Sequence, residues 1–140
     1  NVIANMIFAW ANGDAAGAAD FCKWVEDVLV DVINMTKEKM EKYYDEHVTD
    51  TMCRNELYKK YYMDTIIEDT SAVAGLELIR RIVGMANVKD ITTIADEAKR
   101  ARAEKICITA AIDFIKNRSD KKCGKCFLKT LKDAIAEVDA

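Results

Sequence analysis

The chain contains 140 residues, of which 51% are hydrophobic and 32% are charged, and its formal net charge at pH 7 is −3. This balance is typical of a globular protein and excludes an intrinsically disordered chain. The length predicts a single domain over residues 1–140. No apolar run approaches the roughly 18 residues of a membrane span, and the acidic balance argues against nucleic acid as a partner.

The chain contains no proline, and its apolar residues recur at the spacing of helix faces, which predicts an all-α fold. A short helix is expected over residues 1–12, followed by a long helix that starts near residue 15 or 18 and ends near residue 46. The remaining helices are predicted, in chain order, at residues 51–68, 72–86, 90–116 and 121–138.

Two features of these helices define the expected architecture. The helix at residues 72–86 is apolar nearly all round, which predicts a central, well-covered element. The segment Asp69-Thr70-Ser71 is expected to interrupt the chain and cap that helix, and Asp90 is expected to begin the next one. Because the connections are short, neighbouring helices should be antiparallel. The sequence therefore predicts one compact, disulfide-supported bundle of about five helices.

The cysteines are the main indication of the compartment. Two N-x-[ST] triplets, at Asn34 and Asn117, accompany them, and the chain starts at Asn1 instead of Met. Together these features favour a mature, secreted protein with disulfide bonds. The disulfide candidates are all five cysteines: Cys22, Cys53, Cys107, Cys123 and Cys126.

Helix geometry limits how these cysteines can pair. Cys107 should face Cys126 or, less well, Cys123 across the last helical hairpin. Cys22 and Cys53 lie near opposite ends of the long helix, roughly 40 Å apart, whereas a disulfide needs Cα atoms within about 7 Å. The least distorted arrangement joins Cys107 to one cysteine of Cys123-x-x-Cys126 and the other to Cys22 or Cys53, which leaves one cysteine free.

Motifs for catalysis or metal binding are not found. One histidine, His47, and a single C-x-x-C do not provide the four ligands of a structural zinc site. A redox dithiol of the thioredoxin type would need a preceding strand, and none is expected. The chain also lacks a phosphate-binding glycine loop, H-E-x-x-H and G-x-S-x-G. We therefore expect no catalytic residue, no metal, no cofactor and no enzymatic activity.

Basic residues concentrate around the C-x-x-C. Such a cluster is either ordinary solvated helix surface or an electrostatic docking face for an acidic protein surface or a sulfated glycan. Five tyrosines between residues 43 and 62 have the same ambiguity, because they either cover the edge of the core or belong to a binding surface. We refer to the seven candidate binding residues as the basic face: Lys116, Arg118, Lys121, Lys122, Lys125, Lys129 and Lys132.

In size, helicity and its framework of Cys22, Cys53, Cys107 and Cys123-x-x-Cys126, the chain resembles the anophensin/albicin group of anopheline mosquito salivary proteins. The resemblance implies a helical, monomeric, non-catalytic inhibitor that helps a blood-feeding animal to evade host defence. Its implied partner is a host plasma protein, either a component of the complement alternative-pathway convertase or a factor of the kallikrein–kinin contact system.

The alternative to the inhibitor is a helical carrier of a small apolar ligand, similar to the odorant-binding proteins. Such a carrier would need apolar residues beyond those that packing requires, and the helix at residues 72–86 is compatible with that need. A weaker option is a lipid-active bundle that uses the apolar run from Val2 to Trp10.

Overall fold

The computed structural model describes all of residues 1–140 and confirms the all-α fold class. None of its helices combines the length and apolar character needed to cross a membrane. A short 3-10 turn at Arg118–Asp120 precedes the last helix. The six α-helices are α1 (Val2–Ala15), α2 (Ala19–His47), α3 (Glu56–Ile82), α4 (Lys89–Thr92), α5 (Glu97–Lys116) and α6 (Gly124–Asp139).

The helix α3 is continuous through the segment that was expected to interrupt it. The hydroxyl of Thr70 donates to the carbonyl of Ile66 at 2.8 Å, and that of Ser71 donates to the carbonyl of Phe114 in α5 at 2.8 Å. Both hydroxyls therefore bond to carbonyls instead of capping free N–H groups. The predicted helices at residues 51–68 and 72–86 are one element.

Two helix starts also differ from the prediction, because stronger caps lie further along the chain. The amide oxygen of Asn55 accepts from the N–H groups of Leu57 and Tyr58, so α3 begins at Glu56 instead of residue 51. The carboxylate of Asp96 accepts from the N–H groups of residues 98 and 99, and α5 begins at Glu97. The segment after Asp90 forms only the four-residue α4.

The segment at residues 72–86 is not the central element, and the helix with the largest buried share is α1. This helix contacts α2, α3, α4 and α5, and it is apolar over both faces. Its buried side chains include Ile3, Ile7, Phe8 and Trp10. The prediction about residues 72–86 was wrong because apolar composition alone does not specify what covers a helix. In the structure, Leu78 is buried while Val73, Leu76, Val83 and Met85 are exposed.

The helix α5 lies between α3 and α6 and completes the core. Phe114 of α5 packs against Phe127 of α6, with ring centroids 5.3 Å apart. Gly75 lets α3 approach α5 closely, since a Cβ atom there would lie 2.7 Å from the carbonyl oxygen of Ala111. Every buried side-chain nitrogen and oxygen has a hydrogen-bond partner. Thus Glu26, which is buried, accepts from the indole N–H of Trp10 at 3.0 Å.

Candidate functional site

Most members of the basic face form ion pairs within the fold. Lys121 is buried, and its Nζ lies 2.6 Å from Oδ2 of Asp113. Lys122 pairs with Glu68 of α3, and Lys132 pairs with the buried Glu26 of α2.

The other members of the basic face are more exposed. Lys129 pairs with Asp133, and Arg118 lies 4.0 Å from Asp69. Lys116 and Lys125 are the two members without an ion pair, and the binding role of the basic face stays a prediction.

The five cysteines are all free thiols, so the predicted disulfide support is absent from the structure. Cys107 is fully buried in α5, where burial raises the pKa of its thiol to about 12. Cys22 is also buried, and its thiol contacts the carbonyl oxygen of Trp10 at 3.5 Å. Cys53 lies in the loop after α2. The sulfur atoms of Cys123 and Cys126 are 3.3 Å apart, which is a non-bonded contact.

Four of the five tyrosines between residues 43 and 62, all except Tyr61, line a cavity of about 730 Å³ between the end of α2 and the start of α3. Tyr58 and Tyr62 are stacked with ring centroids 6.3 Å apart, and the hydroxyl of Tyr44 donates to the carbonyl of Cys53 at 2.7 Å. The cavity is wide open to solvent and mostly apolar. Its lining residues are Thr36, Lys39, Met40, Tyr43, Tyr44, Val48, Cys53, Tyr58, Tyr62 and Met63. No three metal-ligating side chains lie close enough together anywhere in the chain to hold a metal ion.

A second cluster, which sequence reasoning missed, lies at the end of α3 and is formed by Glu77, Arg80 and Arg81. We call it the arginine cluster. Arg80 donates through Nε and Nη2 to the two carboxylate oxygens of Glu77, at 2.9 and 2.7 Å. Arg81 donates through Nε to Oε1 of the same carboxylate at 2.8 Å. One carboxylate therefore holds two adjacent guanidinium groups, as the i, i+3 and i, i+4 spacing on a helix allows.

In the arginine cluster, the carboxylate is mostly covered, whereas the two guanidinium groups are accessible to solvent. The side chain of Glu77 is 11% exposed, whereas those of Arg80 and Arg81 are 55% and 35% exposed. Hydrogen bonds from Arg80 and then Arg81 lower the pKa of Glu77 to about 2, so its carboxylate is ionised at neutral pH. The cluster keeps one net positive charge, and its bonds to Glu77 use two N–H groups of Arg80 and one of Arg81. The other guanidinium donors are available to an anion or a hydroxyl-rich ligand.

The chain turn after α3 fixes this cluster at the helix end. The last helical bond joins the N–H of Val83 to the carbonyl of Ile79 at 2.8 Å. Gly84 then passes so close to the carbonyl oxygen of Arg80 that a Cβ atom would collide with it. Beyond the turn, the side chain of Asn12 in α1 donates to the carbonyl of Asp90 at 2.6 Å, which ties the loop to the core.

An exposed apolar strip of α3 leads to the arginine cluster. Val73, Leu76 and Val83 are 53%, 59% and 71% exposed. With Arg80 they follow the helical repeat, so they share one side of α3, which we call the uncovered face. Met85, three residues after the helix end, is also fully exposed. Contiguous exposed apolar side chains of this kind are typical of a surface that contacts another protein segment.

Comparison with known proteins identifies kinases as relatives, although no family model matches the chain. Methylthioribose kinase 1 of Oryza sativa subsp. japonica is 27% identical over 135 residues, which cover 83% of this chain and 31% of the kinase. The methylthioribose kinase of an Escherichia coli strain is 25% identical over 132 residues, covering 84% of the chain and 32% of the kinase. That of a Bacillus cereus strain is 39% identical over 57 residues, 41% of the chain and 14% of the kinase. The chain thus spans about a third of the length of the first two relatives.

These relatives correct several predictions. The relatives named above are kinases, so the predicted non-enzymatic, inhibitory function is wrong. The predicted host plasma protein partner is wrong for the same reason. The same relatives show that the predicted secretion is wrong. That prediction depended on cysteines, which form no disulfide in the structure, on two short N-x-[ST] triplets and on the start at Asn1. The resemblance to salivary proteins rested on size, helicity and cysteine number, features that unrelated helical segments share. No comparison tests it.

The arginine cluster carried a signal that the sequence displays. Two consecutive arginines follow a glutamate at three and four residues within one helical segment, and a glycine comes directly after the helix end. The predicted basic face depended instead on the density of lysines around the C-x-x-C. The number of charges does not reveal their partners, whereas the structure shows that three of these six lysines, Lys121, Lys122 and Lys132, pair with carboxylates on other helices.

Proposed function

We propose that residues 1–140 form the helical part of a methylthioribose kinase, an enzyme that transfers the terminal phosphoryl group of ATP to a hydroxyl of methylthioribose. The similarity to such kinases over more than four fifths of the chain supports this proposal. Because the chain matches only about a third of each of these relatives, the nucleotide-binding elements of such an enzyme would lie in its remaining part.

Within this function, we assign ligand binding to the arginine cluster. Phosphoryl transfer spreads negative charge over the oxygens of the transferred group, and catalysis relies on fixed positive groups that stabilise this charge. Guanidinium groups suit that role because their planar donors match the oxygens of a phosphate or of neighbouring hydroxyls. The pairing with Glu77 holds Arg80 and Arg81 in place before a ligand arrives. The observation that carries the proposal is this pair of adjacent, partly exposed guanidinium groups on the one mostly covered carboxylate of Glu77.

Three other arginines, besides Arg118 of the basic face, stabilise the fold elsewhere. Arg102 is engaged by both Asp14 and Asp139 and joins α5 to the ends of α1 and α6. Arg100 donates to the carbonyl of Ile94 at 3.1 Å and supports the start of α5. Arg54 donates to the carbonyl of Val48 in an exposed loop. None of the three lies beside a second arginine on an apolar face.

The uncovered face gives the rest of the enzyme a place to pack. Val73, Leu76 and Val83 would be buried if another segment of the kinase covered α3, and burial of apolar surface is favourable by roughly 25 cal/mol per Å². Arg80 lies on the same side of the helix, so such packing would place it at the edge of the joined parts. Clefts between packed parts of a protein are common sites for small ligands.

The experiment is a kinase assay on the native polypeptide that contains these residues, with ATP and methylthioribose as substrates. We expect release of ADP and formation of a methylthioribose phosphate ester, identified by mass spectrometry. Phosphorylation of another sugar but not of methylthioribose would overturn the substrate assignment. The absence of any sugar-dependent ADP release from the folded protein would overturn the proposed function.

The arginine cluster is tested by Arg80→Ala and Arg81→Ala in the same assay. Loss of a charge-assisted hydrogen bond to the reacting substrate should lower kcat/KM by about 10- to 100-fold. Lysine at either position keeps the charge but not the planar donors, so it should restore only part of the activity. The matched control is Arg54→Ala, an exposed arginine of the outer loop, which should leave activity unchanged. Equal activity of all three alanine variants would contradict the assignment.

A further inference from the structure

We propose that Cys123 and Cys126 form a redox-active dithiol, in which the Cys126 thiolate attacks a low-molecular-weight disulfide and Cys123 resolves the product to an intramolecular disulfide. The proposal concerns the start of α6 and does not depend on kinase activity. The sequence argued against a redox dithiol of the thioredoxin type because no strand precedes the motif; the contact between the two sulfur atoms supports a dithiol without that setting. The proposal also differs from the predicted links of these cysteines to Cys107 and to Cys22 or Cys53, none of which the structure contains.

The first observation is the position of the two sulfur atoms. Cys123 occupies the N-cap position of α6 in an extended conformation, and Cys126 lies one turn later. The N–H of Cys126 donates to the carbonyl of Cys123 at 2.9 Å, which closes the first turn of the helix. The sulfurs are already in contact at 3.3 Å. Formation of a bond of about 2.05 Å therefore requires side-chain rotation and no rearrangement of helices.

The second observation is that the backbone at this point is held firmly. The N–H of Gly124 donates to the side-chain oxygen of Asn34 in α2 at 2.9 Å. Gly124 also passes so close to the backbone of Val30 that no Cβ atom could be accommodated. Beside it, Lys121 is paired with Asp113 of α5, and Lys122 is paired with Glu68 of α3. The turn that carries both thiols is thus fixed by three helices, which keeps the sulfurs together.

The third observation is that Cys126 is accessible and electrostatically favoured as a thiolate. Both cysteines are partly exposed, and Cys126 lines a polar cleft of about 260 Å³ with Asp120, Lys121 and Lys129. Burial opposes ionisation of this thiol. Hydrogen bonds from the Lys122 backbone and from Cys123, together with the charge of Lys121, outweigh burial and lower the pKa of Cys126.

The buried cysteines provide an internal contrast. Burial raises the pKa of Cys22, and Cys107 is fully enclosed with a pKa raised to about 12. Because the thiolate is the reacting species, both should be inert toward a dissolved disulfide. Cys53 is partly exposed but has no second cysteine at its side. Only the pair in α6 combines access with a neighbouring thiol.

The reaction balances without any further oxidant. The thiolate of Cys126 attacks one sulfur of the small disulfide, forms a mixed disulfide and releases one small thiolate, which takes up a proton. Cys123 then loses its proton to solvent, and its sulfur attacks that of Cys126, which releases the second small thiolate. Two protein thiols are oxidised to one disulfide, and one small disulfide is reduced to two thiols.

To test this proposal, the folded native polypeptide is equilibrated with mixtures of reduced and oxidised glutathione. The remaining thiols are then blocked with N-ethylmaleimide, and the protein is digested with trypsin. Trypsin cleaves after Lys122, Lys125 and Lys129, so the disulfide would appear as Cys123-Gly-Lys cross-linked to Cys126-Phe-Leu-Lys. We expect this cross-link to increase with the share of oxidised glutathione and to disappear with dithiothreitol, while Cys22 and Cys107 stay reduced. Recovery of both peptides without a cross-link at every ratio would overturn the proposal.

Single variants separate the roles of the two thiols. Cys123→Ser should accumulate glutathione on Cys126, because the resolving thiol is missing. Cys126→Ser should react with oxidised glutathione about tenfold more slowly. Equal rates for these two variants would overturn the assignment of Cys126 as the attacking thiol. Cys53→Ser is the matched control, which should form the same cross-link as the unchanged protein, and circular dichroism should show the helical spectrum for all three.

Discussion

The long helices α2 and α3 behave differently at their two ends. Their inner halves belong to the main core, to which α2 contributes Leu29 and Ile33 and α3 contributes Ala74 and Leu78. Their outer halves, with the loop between them, form residues 36–64, which we call the outer hairpin. It exposes large apolar side chains, among them Met52 and Leu57.

The two regions also differ in what holds them together. The inner halves pack against α1, α5 and α6 through fully buried aromatic and aliphatic side chains. The outer hairpin depends on few contacts, chiefly the bond from Tyr44 to Cys53 and the ion pair between Lys59 and Asp45 at 2.6 Å. Exposed ion pairs contribute little to stability. The same two helices therefore should open locally at one end while they stay folded at the other.

The largest expected difference in stability is between two variants that each remove one aromatic ring, one in the main core and one in the outer hairpin. Phe114 is fully buried against Phe127, whereas Tyr61 of the outer hairpin is 66% exposed. Phe114→Ala should lower the free energy of unfolding by about 3–5 kcal/mol, because it removes buried surface and leaves a cavity. Tyr61→Ala should change it by about 0.5 kcal/mol or less. Urea denaturation of both variants measures the difference, and similar losses would contradict the comparison.

A smaller effect is expected where α3 and α5 approach closely. A Cβ atom at Gly75 would lie 2.7 Å from the carbonyl oxygen of Ala111 and 2.7 Å from Cγ1 of Ile115. Alanine improves helix propensity by up to about 1 kcal/mol, but overpacking costs about 1–3 kcal/mol. We expect Gly75→Ala to lower the free energy of unfolding by about 1–2 kcal/mol in thermal or urea denaturation. A gain in stability would show that α5 can move aside.

In the outer hairpin, the bond from Tyr44 offers the sharpest test. Tyr44→Phe removes the hydroxyl that donates to the carbonyl of Cys53, and the loss of one hydrogen bond costs about 1 kcal/mol. We expect this loss to lower the free energy of local opening of the outer hairpin, so amide hydrogen exchange should accelerate within residues 36–64. Exchange in α1 and α5 should be unchanged. Faster exchange throughout the chain would mean that the two regions unfold together.

The helical fold was predictable because its causes are local. The absence of proline and the spacing of apolar residues indicate a helix over most of the helical residues of the structure, with the segment 69–71 as the main exception. The errors concern choices that depend on the rest of the fold. Thr70 and Ser71 could either cap a helix or bond to carbonyls within one, and the presence of Phe114 across the interface decides for Ser71. Which helix becomes central is likewise decided by packing partners, as the exposed side of α3 demonstrates.

The candidate sites were less predictable than the fold. A list of charges does not reveal that Lys121 and Lys132 are paired with acids of other helices, because that pairing depends on tertiary structure. Nor does cysteine spacing show that Cys107 is enclosed while Cys126 is accessible. The arginine cluster differs, since all three of its residues lie within one helix, and local spacing alone would have indicated it.

The smallest expected effect concerns the titration of Glu77, at the inner end of α3. Its two arginine partners lower its pKa to about 2 from the ordinary 4.5 of a glutamate. Because the folded-state pKa is depressed, the stabilising contribution is present above about pH 4.5 and is lost as the pH falls through 2. We expect the carboxyl resonance of Glu77 in NMR to keep its ionised chemical shift at pH 4 and to titrate near pH 2. In Arg80→Ala and in Arg81→Ala, the midpoint should rise toward 4.5, since each variant removes one of the partners. A midpoint near 4.5 in the unchanged protein would mean that the guanidiniums do not hold Glu77, and the arginine cluster would then lack the rigidity on which its proposed role depends.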